Sequence, residues 1–236
     1  MSIADNIATI RERVEAAARR AGRDANSVAL MAVSKTKSPQ EIQEAFEAGQ
    51  RLFGESRVQE FEDKLPGLAD VIAAGAEFHL IGHLQSNKVS RAEEIFHSID
   101  SVDSLSLLER VNLMAQRAGK VLPVLVEINI GWEDQKSGLP PGCTDLNELL
   151  LAAPKLANVS IRGLMTVPPF KQSPEEVRPY FRQMRELRDQ ILKRNRQAVR
   201  MDELSMGMSH DFEVAIEEGS TCVRVGTAIF GPRNNR

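Results

Sequence analysis

Disulfide frameworks and metal centres both require residues that this sequence has in small number. Its 236 residues include two cysteines, Cys143 and Cys222, and four histidines, without the spacing of a zinc site. His79 and His83 are four residues apart, but the apolar run around His79 predicts a strand, which removes the helical geometry that such a pair needs. We therefore expect no metal site, no disulfide framework and a location in the reducing cytoplasm.

Strong charge and long hydrophobic runs are also missing. The formal net charge is -3, and basic residues are interspersed with acidic ones, so a nucleic-acid partner is not expected. No apolar stretch approaches the length of a membrane span, and the N-terminal segment is too charged to be a secretory signal. Because no proline-rich or glycine/serine-rich linker divides the sequence, we expect one domain covering residues 1–236.

Short apolar runs alternate with helix-length segments along most of the chain. Hydrophobic residues make up 42% and charged residues 27%, a balance typical of a globular protein with a buried core. The runs are typical of parallel strands that are buried on both faces. They are S-V-A-L-M-A-V-S, R-L-F-G-E, E-F-H-L-I-G, H-S-I-D-S, V-L-P-V-L-V-E-I-N-I, V-S-I-R-G-L-M-T, E-L-S-M-G and T-C-V-R-V-G.

An amphipathic helix precedes the first of these runs, because apolar residues recur at three- and four-residue spacing from Ile3 to Ala18 and the pattern ends near Gly22. The alternation predicts the α/β class and a single (β/α)8 barrel of the TIM type, with this additional N-terminal helix. An open, doubly wound sheet is the alternative. In a barrel the loops after the strands build the site, so functional residues are expected at the carboxyl ends of the strands.

Lys35 follows the first apolar run, in A-V-S-K-T-K. Strand alternation places it on the same face as Ala29, Met31 and Val33, and if that face points inward the amine lies at the barrel mouth. Apolar walls lower the pKa of a lysine, and the uncharged amine can attack an aldehyde to form a Schiff base. An ordinary charged residue at the start of a loop is the alternative, and Lys37 is expected to be the solvated lysine of the two.

Two segments near the C-terminus predict an anion site. In S-M-G-M-S-H-D-F-E-V-A-I a strand breaks at Gly207, and a helix is expected to begin near Ser209 and His210. In T-C-V-R-V-G-T-A-I-F-G, Gly226 and Thr227 follow the last strand and start a short helical turn. The loops after strands seven and eight of such barrels often bind a phosphate, so the two segments together predict a phosphate cup. A plain helix cap is the alternative for Ser209 taken alone.

Arg224 and Met165 are candidates for contacts with the planar ring of a cofactor. Arg224 lies two residues before Gly226, which places it on the inward face of the last strand. A guanidinium there would donate a hydrogen bond to a ring nitrogen and resist its protonation, which makes the ring a weak electron sink. A structural ion pair with Glu127 is the alternative. Met165 closes the sixth strand and would offer an apolar face, although a lone methionine is also an ordinary core residue.

Seven motifs in register resemble the YggS/PROSC family of pyridoxal 5'-phosphate (PLP) homeostasis proteins and span nearly the whole chain. They are A-V-S-K-T-K, F-G-E-S, H-L-I-G-H-L-Q-S-N-K, K-S-G, R-G-L-M-T, S-M-G-M-S-H-D-F-E-V-A-I and V-R-V-G-T-A-I-F-G. The resemblance implies a barrel similar to the N-terminal barrel of alanine racemase, with PLP as the cofactor, held as an aldimine. The cofactor-binding residues implied by the resemblance are Lys35, Met165, Ser209, Arg224, Gly226 and Thr227.

Within that set, the resemblance assigns the phosphate to Ser209, Gly226 and Thr227 and the pyridine nitrogen to Arg224. The chain departs from the family pattern at Ser56, where the family usually has Asn. A contact that an amide makes at that position therefore stays open.

Three functions follow from these observations. The first is a PLP-binding protein that carries or buffers the cofactor and takes part in vitamin B6 and amino-acid homeostasis without robust catalysis, with PLP-dependent apoenzymes as candidate recipients. The second is a small fold-type III amino-acid racemase or decarboxylase that works from Lys35 alone. The third is a phosphosugar-binding barrel enzyme, which shares the phosphate cup but has no use for an aldehyde-reactive lysine.

The resemblance also bears on assembly and on the enzyme alternative. Alanine racemases take their second catalytic base from an added β domain of a partner subunit, and we expect neither that domain nor its dimer contact in this chain. Tyr180 lies in a charged helical segment and is expected at the surface, where it does not replace that base. A monomer is therefore the expected state.

Overall fold

The structure, a computed structural model, describes residues 2–133, 135–194 and 199–232, and its strands close into a barrel. The strands are β1 (Ala29–Val33), β2 (Leu52–Glu55), β3 (Glu77–Leu80), β4 (Ser98–Val102), β5 (Leu122–Glu127), β6 (Val159–Met165), β7 (Glu203–Met208) and β8 (Cys222–Val225). Each is parallel to its neighbours, and β1 pairs with both β2 and β8. The predicted barrel is confirmed, and the open sheet is wrong because an open sheet leaves its first and last strands unpaired.

Helices separate successive strands, as the alternation predicted, and one further helix lies at each end of the described chain. They are α1 (Ile3–Arg20), α2 (Pro39–Glu47), α3 (Val58–Lys64), α4 (Ala69–Ala73), α5 (Val89–Ile95), α6 (Leu105–Arg117), α7 (Thr144–Ala152), α8 (Arg178–Arg194), α9 (Phe212–Glu217) and α10 (Thr227–Phe230). None of these described helices combines the length and the apolarity that crossing a membrane requires. The predicted N-terminal helix is α1, which begins with a capping box between Ser2 and Asp5 and ends just before Gly22, where φ is +66°.

The apolar core has one layer outside the barrel and another inside it. Phe53 of β2 and Phe78 of β3 face outward, toward α3. The ring centroids of Phe53 and Phe78 are 5.2 Å apart, and those of Phe78 and Phe61 of α3 are 4.6 Å apart. Gly54 follows Phe53 and therefore faces inward, where a Cβ would lie 2.8 Å from Sδ of Met31. Met31 is thus an interior residue, so the face of β1 that includes it points into the barrel, which is the condition for the amine of Lys35 to lie at the mouth.

Tyr180 differs from the prediction, because it lies on α8 with its side chain half-buried against the outer core instead of at the surface. The charged sequence around it concealed this position. Its neighbours Phe181 and Met184 are fully buried, so this stretch of α8 lies against the barrel wall.

A histidine–aspartate pair, in which the aspartate is buried and the histidine partly buried, lies in the barrel interior. His79 of β3 faces inward, since its neighbour Phe78 faces outward, and its Nδ1 lies 3.0 Å from Oδ2 of Asp100 on β4. Ser98 donates a hydrogen bond of 2.6 Å to the other oxygen of Asp100. Burial alone lowers the pKa of His79, but the charge and hydrogen bond of Asp100 outweigh it, so the pKa is raised above its ordinary value.

We expect the contribution of His79 to the free energy of unfolding to depend on pH. Because the folded pKa lies above the unfolded value of about 6.5, this contribution is fully present below about pH 6.5 and is lost as the pH rises through the folded pKa. Denaturant unfolding of the wild type and of His79→Gln from pH 5.5 to 9 measures it. The free energy of unfolding of the wild type should exceed that of the variant by less as the pH rises. The total decrease should be about 1.4 kcal/mol for each unit by which the folded pKa of His79 exceeds its unfolded pKa.

The matched control for this prediction is His83→Gln. Nδ1 of His83 also lies near a carboxylate, Oδ2 of Asp103 at 3.1 Å, but its side chain is 56% exposed. This variant should differ from the wild type by no more than about 0.5 kcal/mol at every pH. A wild-type advantage over His79→Gln that stays constant across the pH range would contradict the prediction.

Candidate functional site

The carboxyl ends of β7, β8 and β1, which are neighbours in the barrel, bring four of the predicted residues to one side of its mouth. Lys35 lies half-buried in the turn after β1, and Ser209 lies half-buried in the turn after β7. Gly226 and Thr227 follow β8. A Cβ at Gly226 would lie 3.3 Å from the carbonyl oxygen of Val33, so the turn after β8 touches the end of β1 two residues before Lys35.

Arg224 lies inside the barrel, directly below this group. It is paired in register with Met31, which faces inward, and it is 3% exposed. Its Nη1 donates to the carbonyl oxygen and to Oγ of Ser205, each at 2.7 Å, and its Nη2 donates to the carbonyl oxygen of Thr166, also at 2.7 Å. The guanidinium is therefore fixed by the ends of β6 and β7.

The ion pair between Arg224 and Glu127 is not formed. Within residues 2–133, 135–194 and 199–232, no carboxylate lies at ion-pair distance from Arg224. Burial lowers the pKa of Arg224, and the negative charges of Asp100 and Glu127 act against that shift from a distance. The sequence could not show that backbone carbonyl groups, instead of a carboxylate, satisfy this guanidinium.

Glu127 ends β5, which lies four strands from β1 across the barrel. It is 7% exposed, and its Oε1 accepts a hydrogen bond of 3.0 Å from Ser137, while its Oε2 has no partner in the described part of the chain. Burial raises the pKa of Glu127, which favours the protonated carboxyl.

Met165 ends β6 and is fully buried. It is paired in register with Glu127 on one side and with Ser205 on the other. These neighbours place it at the same height in the barrel as the contacts that hold Arg224. The structure is compatible with the predicted position beside a ring and with a place in the interior core.

The helix predicted to begin near Ser209 and His210 begins later. The chain first makes a tight turn, in which the carboxylate of Asp211 accepts a hydrogen bond of 2.7 Å from the N–H of Met208, and α9 starts at Phe212. The predicted start was wrong because a turn occupies the residues between Gly207 and the helix. The sequence of this segment does not distinguish such a turn from the first turn of a helix. Ser209 is therefore a turn residue, and burial raises the pKa of the neighbouring Asp211.

The short helix after β8 is present and is anchored at its end. Asn6 of α1 donates a hydrogen bond of 2.8 Å to the carbonyl oxygen of Ile229. Nζ of Lys37 donates to the carbonyl oxygen of Phe230 at 2.9 Å and lies 3.3 Å from Oε1 of Glu41. Lys37 is 7% exposed, so its prediction as the solvated lysine was wrong: it caps the carboxyl end of α10.

Sequence reasoning missed the charged residues beside the turn that carries Lys35. Glu55 of β2 and Lys64 of α3 are buried, and Nζ of Lys64 lies 2.9 Å from Oε1 of Glu55. A signal was present, because Glu55 ends an otherwise apolar strand and a buried carboxylate requires a partner. The partner itself, nine residues further along the chain, could not be identified without the fold.

The described residues contain no group of three or more histidine, cysteine, aspartate or glutamate side chains arranged to hold a metal ion. His79 and His83 each contact one aspartate, on β4 and after it. Neither Cys143 nor Cys222 forms a disulfide within the described residues, and burial raises the pKa of the Cys222 thiol to about 12.

The sequence is similar to that of a known family across almost its whole length. The family model described as "Alanine racemase, N-terminal domain" matches residues 6–234. The pyridoxal phosphate homeostasis protein of Aquifex aeolicus is 43% identical over 233 residues, which is 99% of this chain and 99% of that protein. The protein of the same name from Escherichia coli K12 is 42% identical over 237 residues, covering 98% of this chain and 97% of that protein.

Two solved structures are similar to this chain. PipY of Synechococcus elongatus PCC7942 with PLP bound has a TM-score of 0.84 and 37% identity, over 98% of this chain and 100% of that chain. An alanine racemase of Clostridium difficile has a TM-score of 0.69 at 15% identity, over 86% of this chain and 54% of that one, and so shows the fold alone. The chain belongs to the pyridoxal phosphate homeostasis protein family, whose barrel is that of the alanine racemase N-terminal domain.

Proposed function

We propose that this chain, as one domain over residues 1–236, binds PLP as an aldimine on Lys35 and carries or buffers the cofactor in vitamin B6 and amino-acid homeostasis. The observation that carries the proposal is the position of Lys35, half-buried beside the turns after β7 and β8. The names of the relatives and the PLP bound to PipY support it.

The residues at the mouth fit this cofactor. The turns at Ser209 and at Gly226 and Thr227 offer backbone N–H groups and two hydroxyls to a phosphate. Arg224 offers a fixed donor for the pyridine nitrogen, and Met165 an apolar surface for the ring. When bound, PLP supplies an aldehyde that condenses with an amine, so that a C=N bond forms and one water molecule leaves.

The same residues argue for binding without robust catalysis. The guanidinium of Arg224 is a donor and does not give its proton to the ring, so the ring nitrogen beside it stays unprotonated. Tyr180, the one tyrosine of the chain, is half-buried on α8 and packs against the outer core. A racemase or decarboxylase would need a stronger electron sink or a second base than these positions supply.

Three further properties belong to this proposal. We place the protein in the cytoplasm, where a reducing environment suits the two free cysteines. We take it to be a monomer that gives PLP to apoenzymes, without a nucleic-acid or membrane partner. Light scattering of the purified protein, with and without PLP, tests the monomer by a mass close to 26.2 kDa.

The direct test is an absorbance titration of the purified protein with PLP, followed by borohydride reduction and peptide mass mapping. We expect a visible band that saturates at one PLP per chain and a reduced adduct on the peptide that contains Lys35. Inorganic phosphate at high concentration should compete, because it occupies the turns at Ser209 and Gly226. Absence of the band, or an adduct on other lysines only, would favour the phosphosugar-binding barrel instead.

A further inference from the structure

Four hydrogen-bonded side chains, three of them buried and one partly exposed, lie between the barrel wall and α3, beside the turn that carries Lys35. Lys64 is 7% exposed, and its Nζ donates to the carbonyl oxygen of Ser34 at 3.1 Å, to Oε1 of Glu55 at 2.9 Å and to Oε1 of Glu60 at 2.7 Å. Oγ of Ser34 donates to the same oxygen of Glu55 at 2.7 Å. All three N–H bonds of the Lys64 ammonium are therefore used. We call Ser34, Glu55, Glu60 and Lys64 the Lys64 network.

The network contacts the residues on both sides of Lys35. Ser34 precedes Lys35, and its carbonyl oxygen accepts hydrogen bonds both from Lys64 and from the N–H of Lys37, which closes the turn at 3.0 Å. Thr36 follows Lys35, and its N–H donates to Oε1 of Glu60. Because that oxygen also binds Lys64, one ammonium group fixes both ends of the turn.

The backbone between these contacts has an unfavourable conformation. Thr36 has a φ of +64°, in the left-handed region that β-branched residues rarely occupy. Such a residue keeps this conformation only where the surrounding contacts impose it. The bond from Thr36 N–H to Glu60 and the bonds from Lys64 to Ser34 and Glu60 are the contacts available to do so.

The stability of the barrel alone does not account for the network. Burial opposes the charge of Glu55 and raises its pKa, although Lys64 partly offsets this, and Oε2 of Glu55 has no partner among the described residues. Buried ion pairs of this kind are often no more stabilising than apolar side chains of the same volume. In some proteins such buried polar groups instead impose a specific geometry on the groups that they contact.

We propose that Lys64, Glu55 and Glu60 are positioning residues that hold the turn at residues 34–37 in its left-handed conformation, so that Nζ of Lys35 faces the barrel mouth and reacts there with the aldehyde. This inference rests on the proposed function. It predicts that the network determines which lysine of the chain forms the covalent adduct and how completely it does so.

The test compares Lys64→Met with a matched variant, Lys120→Met. Nζ of Lys120 also binds a buried glutamate, Glu93, at 2.7 Å, but this pair lies at the amino-terminal end of β5. Both variants should have a lower Tm than the wild type. With Lys64→Met alone, Kd for PLP should rise about tenfold or more, the visible band should weaken, and borohydride should trap a smaller share of PLP on Lys35.

A second substitution separates positioning from structural support. Glycine adopts a positive φ without strain, so Thr36→Gly in the Lys64→Met background should restore the band and the share of adduct on Lys35, although it does not restore Tm. If Lys64→Met does not fold, Glu60→Ala removes the bond to Thr36 at a side chain that is 25% exposed and takes its place in both measurements.

The outcomes separate this inference from the function on which it rests. A wild-type protein that forms no adduct on Lys35 contradicts the proposed function and removes the basis of the inference. A wild-type adduct that Lys64→Met forms equally well overturns the inference alone. Loss of the band in Lys64→Met without recovery by Thr36→Gly also overturns it, because the conformation of Thr36 then does not carry the effect.

Discussion

Lys35→Ala is expected to lose the covalent adduct completely and to bind PLP about a hundredfold more weakly than the wild type, a difference of about 2.7 kcal/mol. The C=N bond requires a primary amine at this position, and the methyl group of alanine cannot replace it. The turns at Ser209 and Gly226 and the guanidinium of Arg224 remain, so we expect weak, non-covalent binding to persist. The visible band should be absent even at PLP concentrations that saturate this weak site.

Absorbance titration, borohydride reduction and peptide mapping measure this prediction. Lys155→Ala is the control, because Lys155 is exposed and precedes β6, at the opposite end of the barrel. It should bind PLP as the wild type does. Lys35→Arg keeps a positive charge without a nucleophilic amine and should behave as Lys35→Ala does. If Lys35→Ala kept a saturable band at one PLP per chain, another lysine would be the attachment site.

The strands of the barrel could be predicted because their sequence signal is local. Each buried strand is a short apolar run, and all eight strands lie within the predicted runs apart from single residues at their ends. The fifth run is the exception: it predicts a strand to Ile130, whereas β5 ends at Glu127. Beyond it Ile128 forms an isolated bridge to Leu139. The pattern of apolar residues continues there although the regular pairing does not.

Positions on strands could also be predicted, while contacts between distant segments could not. Alternation correctly placed Arg224 inside the barrel, but its partner Thr166 is 58 residues away. Lys37 was expected in solvent because charged loop residues usually are, yet its partner Phe230 lies 193 residues further along the chain. Such contacts depend on closure of the barrel, which brings β1 and β8 together, and no local pattern encodes them.

Arg224→Met is expected to lower the free energy of unfolding by about 3 kcal/mol and to weaken PLP binding in the protein that remains folded. Methionine fills much of the same volume, but the carbonyl oxygen of Thr166 loses its donor inside the barrel, while that of Ser205 keeps the N–H of Thr166. Buried acceptors without a partner cost more than the net value of the bonds themselves. Denaturant unfolding and PLP titration at a temperature where the variant is folded measure the two effects separately.

Two comparisons show whether Arg224 also contacts the ring. Arg200→Met removes an arginine whose side chain is 63% exposed and paired with Asp202, so it should change neither stability nor binding by more than about 0.5 kcal/mol. Arg224→Lys keeps the charge but not the planar fork, and should recover part of the stability while the pH dependence of the bound PLP spectrum still differs from that of the wild type. Unchanged affinity and an unchanged spectrum in Arg224→Met would mean that Arg224 holds β6 and β7 together without contacting the pyridine nitrogen. The ring would then have no arginine beside it to make it a weak electron sink.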